Sequence, residues 1–336
     1  MHEIPPPVQM VQMLAGFQVA QGLYTCAKLG IPDQLTGGPR TSAELASSVQ
    51  ADPASTTRLV RTLASLGVFS DAGEGHYALT PLGWTLVSDA PGSMRDLALM
   101  WMETHYAAFG HLAEGVRTGR PAAELHFGAP FFQWVSGEPE QVNRFTRAMA
   151  NLTGGIKNAA ASTIDLAGAG TVVDVGGADG AVLAELLHRD ETLEGIVLDL
   201  PHVVQDAEAA TKAFGLGSRL RSVGGDFFQA VPEGDAYILS MVLHDWDDES
   251  ARRILANIAR DGRPGSRVVS LELVIAPGDQ PHMAKMIDLT MLGMLTGRER
   301  TAEELEALVT SAGLCFDGIT ATPSPMSLLH ATVKEA

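Results

Sequence analysis

The chain has 336 residues, 46% of them apolar and 19% charged, which is material for more than one core and argues against a disordered chain. Forty acidic residues against 23 basic ones give a formal net charge of −17, a field that repels polyanions and disfavours nucleic acid as a partner. Cys26 and Cys315 form no metal or disulfide pattern, and neither a leader nor an uninterrupted apolar stretch of membrane length is visible, so a cytoplasmic protein with no membrane partner is expected.

The spacing of Val8, Val11, Leu14, Val19 and Leu23 predicts a helix over 8–28, followed by a Pro- and Gly-bearing connection over 29–38. Thr41 with Glu44 reads as a capping box ahead of Leu45 and Val49. A second helix is expected over 54–66, with Leu59, Leu63 and Leu66 on one side and Gly67 as its stop. Residues 68–79, with Gly73 and Gly75 in the middle, read as a hairpin, and Pro81 stands where a new helix can begin. Helix, helix, hairpin is the outline of a winged helix. From Thr41 to Leu79 it carries only two basic residues besides histidine, Arg58 and Arg61, against Glu44, Asp52, Asp71 and Glu74. A groove-reading surface needs several phosphate contacts, so residues 1–92 are expected to be a winged-helix-like dimerisation domain.

Residues 93–166 read as mainly helical, a linker and pocket region rich in large apolar side chains. Among Trp101, Met102, Tyr106, Phe109, Phe131, Phe132, Trp134, Phe145 and Met149, most are expected in ordinary helix core and a few on an aromatic pocket wall. From Thr171 the pattern changes. Short apolar strands (TVVDV, GIVLDL, DAYILSMV, RVVSLELVI) alternate with helical stretches, and two closing strands joined by PSPM suggest a hairpin at one edge. Residues 167–336 are therefore expected to form a doubly wound α/β domain.

The sharpest local signal is VVDVGGADG, 172–180, where a strand ends and Gly176, Gly177 and Gly180 allow a ligand to approach the backbone. Asp199, at the end of the next strand beside Leu200, can accept from both ribose hydroxyls. A glycine turn of this kind also suits a nicotinamide dinucleotide. Asp174, two positions before the first glycine, tilts the choice: a carboxylate is unhelpful beside a pyrophosphate and welcome beside an ammonium and a sulfonium, both carried by S-adenosylmethionine. Gly225, Asp226 and Phe227 lie at a third strand end, where Asp226 can hold an adenine amino group or serve only as a turn cap.

LHDWDD, 243–248, places His244 and Asp245 at the same edge, with Asp247 or Asp248 as a helix cap and Trp246 more readily packing than chemistry. Methyl transfer needs an aligned, deprotonated nucleophile. A phenol ionises near 10, and histidine is the natural base to help it. Its second nitrogen needs an acceptor, for which Glu272 and Glu299 are candidates. Glu272, inside an apolar run, must have a partner, and Glu299 can equally pair with Arg298 or Arg300. The ten histidines show no metal-ligand spacing, and no metal is expected.

These motifs resemble, over nearly the whole chain, the small-molecule O-methyltransferases of plant phenylpropanoid metabolism and of bacterial antibiotic, pigment and phenazine pathways. TSAELASSV, RLVRTLASLGVF and YALTPLG carry the likeness in the first domain; VVDVGGADG, LDLP, GGDFF, LHDWDD and GRERT carry it, in order, in the second. The resemblance implies a homodimer that methylates a hydroxyl of a small aromatic acceptor. Gly176 and its neighbours would approach the methionine part of S-adenosylmethionine, Asp199 the ribose, and Asp226 with Phe227 the adenine. His244 would be the general base steered by Glu272 and Glu299, Asp245 would lie beside the cofactor, Met291 would clamp the acceptor, and the helical stretch with Trp101, Tyr106, Phe109, Phe145 and Met149 would form much of the remaining pocket. Two departures stand out: Ala178 replaces a glycine of the turn, and Ser240 stands where the plant enzymes carry lysine. Two alternatives stay open: the same fold and cofactor used for hydroxylation or decarboxylation of an aromatic polyketide, and a winged-helix, ligand-sensing transcriptional regulator.

Overall fold

The structure, a computed structural model, describes residues 4–335, with the backbone alone over 206–210. It falls into two compact units, Met1–Gly110 with Phe132–Gly154, and His111–Phe131 with Gly155–Ala336. The span 93–166 is thus shared between the two.

In the first unit the helix expected over 8–28 is two helices, Pro6–Leu14 and Gly16–Leu29, interrupted at Ala15 ahead of a glycine with poor helix propensity. Gly30, in the left-handed conformation, caps the second. The capping box forms as expected: the Thr41 side chain accepts from the Glu44 amide and Glu44 accepts from the Thr41 amide, opening helix Ser42–Ser48. Asp52 caps Pro53–Ser65, one residue earlier at each end than the apolar spacing suggests. Strand β1 (Arg40–Thr41) pairs with the hairpin of β2 (Phe69–Gly73) and β3 (His76–Leu79) in the order β1-β3-β2, which completes the winged-helix outline. Cys26, Leu45, Val60, Leu63 and Phe69 fill its core.

Residues 95–111 are helical, but Trp101–His105 form a π turn. Such a turn holds an extra residue, so the side-chain spacing from Trp101 to Tyr106 departs from the helical period.

The second unit is built on a seven-stranded sheet. Its strands are β4 (Thr171–Val175), β5 (Glu194–Asp199), β6 (Leu220–Gly224), β7 (Ala236–Ser240), β8 (Arg267–Glu272), β9 (Leu314–Ala321) and β10 (Ser327–Val333), in the order β6-β5-β4-β7-β8-β10-β9. Pairing is parallel from β6 through β8, and β10 runs antiparallel to both neighbours. The chain moves outward from β4 to β6, then returns to lay β7 on the other side of β4. The C-terminal ends of β4 and β7 are therefore the switch point at which open α/β sheets bind ligands.

Alternation along the strands sorts side chains onto two buried faces. Val172, Val197, Ile238 and Leu271 join one apolar cluster; Val173, Val175, Ile196, Tyr237 and Leu239 join the other. Each such fully buried side chain contributes about 1.5–3 kcal/mol. The same alternation puts Asp174 and Ser240 on the face of Val172 and Ile238. Helix Met283–Met294, for which the strand pattern gave no expectation, packs against helices Leu112–Thr118 and Ala122–Phe127. Among the described residues no helix is long and apolar enough to cross a membrane.

Candidate active site

Strand β4 runs into the glycine turn. The Gly176 amide donates to the Leu198 carbonyl at 2.8 Å, with Gly176 at φ +72°. A β-carbon on Gly177 would lie 2.5–2.6 Å from the Asp174 carboxyl group, so only glycine fits there. Ala178 also sits at positive φ, +48°, a conformation that strains an L side chain, and its amide donates to Asp199 Oδ2 at 2.9 Å. The other Asp199 oxygen accepts from the Leu200 amide at 2.7 Å. The Gly225 amide donates to the Asp199 carbonyl at 2.9 Å. Asp226 accepts from the Phe228 amide at 2.8 Å and from Gln229 Nε2 at 3.1 Å, which is the turn-capping geometry. Phe227 and Trp246 both pack on Phe228, so the indole has the packing role expected of it.

Asp174 is fully buried, and burial pushes its pKa up to about 7. Among the described residues its Oδ1 has no hydrogen-bond partner, and neither has the buried hydroxyl of Ser240. Buried polar atoms without partners are costly. Two of them on one face of the sheet, beside a backbone turn that excludes side chains, fit the amino-acid end of S-adenosylmethionine.

His244 lies in a short 3₁₀ turn, Leu243–Asp245, just beyond β7. Met241, at φ +56°, starts this segment. The buried imidazole bonds through Nδ1 to Glu299 Oε1 at 2.7 Å, and its Nε2 lies 3.4 Å from Asp245 Oδ1. Burial pulls the His244 pKa down, but Asp245, the Glu299 bond and charge, and Glu272 outweigh it and push it up to about 9. Burial raises the Asp245 carboxyl. Glu272, at the end of β8, finds its partner two residues back on the same face: Ser270 Oγ donates to it at 2.5 Å. Burial pushes its pKa up to about 7, against the opposing charge of His244.

The alternative pairing of Glu299 with an adjacent arginine does not occur. Arg298 and Arg300 both pair with Asp248. The buried Arg300 also donates to the carbonyls of Leu243 and Trp246 at 2.9 and 2.8 Å, pinning the backbone on either side of His244. The Glu299 amide donates to Asp288 Oδ1 at 3.0 Å. Asp247, rather than Asp248, caps the next helix. The sequence offered no sign of the Arg300 clamp, because its acceptors are backbone carbonyls more than 50 positions away. It also passed over Lys157, whose Nζ donates to the Ser240 carbonyl at 3.2 Å.

The structure thus brings His244, Glu299, Glu272, Asp245, Asp174 and Ser240 to the C-terminal edge of β4, β7 and β8, with Asp199, Leu200, Gly225, Asp226 and Phe227 at the ends of β5 and β6. Trp101, Phe145 and Met149 pack, partly buried, against an apolar cluster of the first unit formed by Leu97, Met100 and Ala148. Tyr106 is exposed and Phe109 half-buried in that unit, and Met291 is buried in the second. Among the described residues no group of three or more His, Cys, Asp or Glu could hold a metal ion.

Residues 109–315 match the model of the O-methyltransferase domain, and residues 11–89 that of the O-methyltransferase dimerisation domain. The chain belongs to the S-adenosylmethionine-dependent small-molecule O-methyltransferases. It is 37% identical to the phenazine O-methyltransferase PhzM of Lysobacter antibioticus over 98% of this chain and 96% of that one. The crystal structure of LaPhzM superposes with a TM-score of 0.92, at 37% identity, covering 98% of this chain and 100% of the other. The neocarzinostatin-pathway O-methyltransferase NcsB1, solved with S-adenosylmethionine and 2-hydroxy-5-methyl naphthoic acid, superposes with a TM-score of 0.84, at 33% identity, over 99% and 100% of the two chains. This O-methyltransferase is an enzyme, its cofactor is S-adenosylmethionine, and its architecture is a mainly helical dimerisation domain followed by a Rossmann-like α/β domain.

Proposed function

We propose that His244 is the general base for methylating a hydroxyl of a small aromatic secondary metabolite, of the phenol, naphthol or phenazine kind. The observation that carries this is the buried 2.7 Å bond from His244 Nδ1 to Glu299. A neutral imidazole donating there presents the lone pair of Nε2. When bound, S-adenosylmethionine supplies an electrophilic methyl group on a sulfonium. His244 Nε2 takes the acceptor's hydroxyl proton, leaving the oxygen with the electron pair that attacks. The resulting imidazolium then has Glu299 at one nitrogen and Asp245 at the other. Three surrounding carboxylates make His244 an unusually strong base, about 9, well matched to a phenol near 10. Asp174 and Ser240 would hold the amino-acid end of the cofactor, Asp199 the ribose, and Asp226 with Phe227 the adenine. The acceptor would contact Met291.

The intact dyad favours methyl transfer over hydroxylation or decarboxylation, and the match of residues 11–89 to a dimerisation domain disfavours a DNA-reading regulator. Homodimerisation through that domain is supported by helix Pro6–Leu14, which has no buried residue and leaves Val8, Met10, Val11, Met13 and Leu14 exposed.

Replacing His244 with Ala or Asn is expected to lower turnover of a phenolic acceptor about 10²- to 10⁴-fold while S-adenosylhomocysteine still binds. Calorimetry and product mass spectrometry measure the two. Full turnover with the variant would refute the assignment.

A further inference from the structure

The strand ends of the second unit carry an excess of carboxylates. Asp174, Asp199 and Asp245 all lie there, and a ligand with its own carboxylate has to find a cation among them. Lys157 stands in the last turns of helix Pro139–Ala161. Its neighbours on that helix, Ile156 and Ala160, pack in the same apolar cluster as Val172 and Ile238, so the helix covers the sheet face that bears Asp174 and Ser240. An ammonium group has three N–H donors. Among the described residues the one hydrogen-bond partner of Lys157 is the Ser240 carbonyl at 3.2 Å. Among the same described residues, Ser240 contributes a buried hydroxyl without a partner, and Asp174 a buried carboxylate oxygen without one. The Lys157 charge acts on both Asp174 and Asp245. Burial lowers the lysine pKa while Asp174, Asp245, Asp179 and Glu272 oppose that.

We propose that Lys157, with the Ser240 hydroxyl, binds the α-carboxylate of S-adenosylmethionine, while Asp174 receives its α-ammonium. A zwitterionic end is met by a matched pair, a cation from the helix and an anion from β4, set on one face of the sheet. Lys157 is thereby a specificity-determining residue: it selects ligands that keep the carboxylate. The proposal rests on the cofactor site described above and is independent of the base assigned to His244.

Calorimetry without acceptor tests it, using S-adenosylhomocysteine and its decarboxylated counterpart, which retains the amine. The wild type should prefer the carboxylate-bearing ligand by about 30-fold or more, as expected for a partly desolvated charge pair. Lys157→Met should lose most of that preference. Its affinity for S-adenosylhomocysteine falls, while the decarboxylated ligand, now facing a more negative site, binds as tightly as before or tighter. Lys157→Arg should keep the preference. Equal losses for both ligands would mark Lys157 as merely structural and overturn the proposal, as would unchanged binding of S-adenosylhomocysteine. Should Lys157→Met fail to fold, the wild type alone decides: absence of a carboxylate preference overturns the proposal. Absence of any S-adenosylhomocysteine binding to the wild type would overturn the cofactor site itself, and this proposal with it.

Discussion

His244 shows how a residue's chemistry is set by its neighbours. An isolated buried imidazole would lose basicity; here Asp245, Glu299 and Glu272 reverse the sign and lift it to about 9. A base must be neutral to act, so kcat/KM for a fixed phenolic acceptor is expected to rise with pH through that region. Glu299→Gln removes one of the carboxylates that stabilise the imidazolium. The His244 pKa should fall back toward 6.5 and the rising limb of the profile should move to lower pH, with a lower plateau because ring orientation suffers. Profiles of the two proteins on one substrate measure this, since the acceptor's own ionisation is common to both. A limb that stays in place would remove Glu299 from the dyad. Ala178 is the opposite kind of residue, a side chain where the backbone prefers none. At φ +48° it carries strain of about 1–2 kcal/mol, and glycine would relieve it at the expense of a more flexible unfolded chain. Ala178→Gly is expected to leave stability unchanged or raise it by up to about 1 kcal/mol in urea titration. A clear destabilisation would show that the methyl group is a packing contact after all.

Among the elements, the connection that ends in GRERT does more than carry Glu299. A β-carbon on Gly297 would come within 2.0 Å of the His244 carbonyl oxygen and 2.5 Å of the Trp246 nitrogen. Two backbone segments therefore lie in direct contact, one bearing His244 and the other Glu299, and Arg300 ties them with bonds to Leu243 and Trp246. Gly297→Ala should force them apart, lengthening the 2.7 Å dyad. Turnover is expected to drop by at least about 10²-fold, as for other small misplacements of catalytic groups, accompanied by a lowered Tm. Near wild-type values of both would contradict this close approach. Elsewhere the elements were readable because their signals are local: the Thr41–Glu44 capping box, the Gly73–Gly75 hairpin and the alternating strands each depend on residues within a few positions. The break at Ala15 and the π turn at Trp101–His105 were not, because apolar spacing continues across both.

For the whole molecule, the exposed apolar side chains of helix Pro6–Leu14 are the clearest unmet demand of the chain as described. Deleting residues 1–15 is expected to shift the protein from dimer toward monomer in light scattering coupled to size exclusion, without altering S-adenosylhomocysteine affinity. A truncated chain that stays fully dimeric would move the interface elsewhere in the first unit.

The order of the motifs, the winged-helix outline, the doubly wound sheet and the cofactor class were determined by sequence, because periodicity, glycine turns and strand-end acids act over short stretches. Which carboxylate bonds His244, where Arg298 and Arg300 go, and that Lys157 comes to Ser240 were decided only in the tertiary structure. The physical reason is the same in each case: Glu299 bonds a ring 55 positions earlier and Lys157 a carbonyl 83 positions later. Contacts of that separation follow from sheet order and helix placement, and no spacing along the chain encodes them.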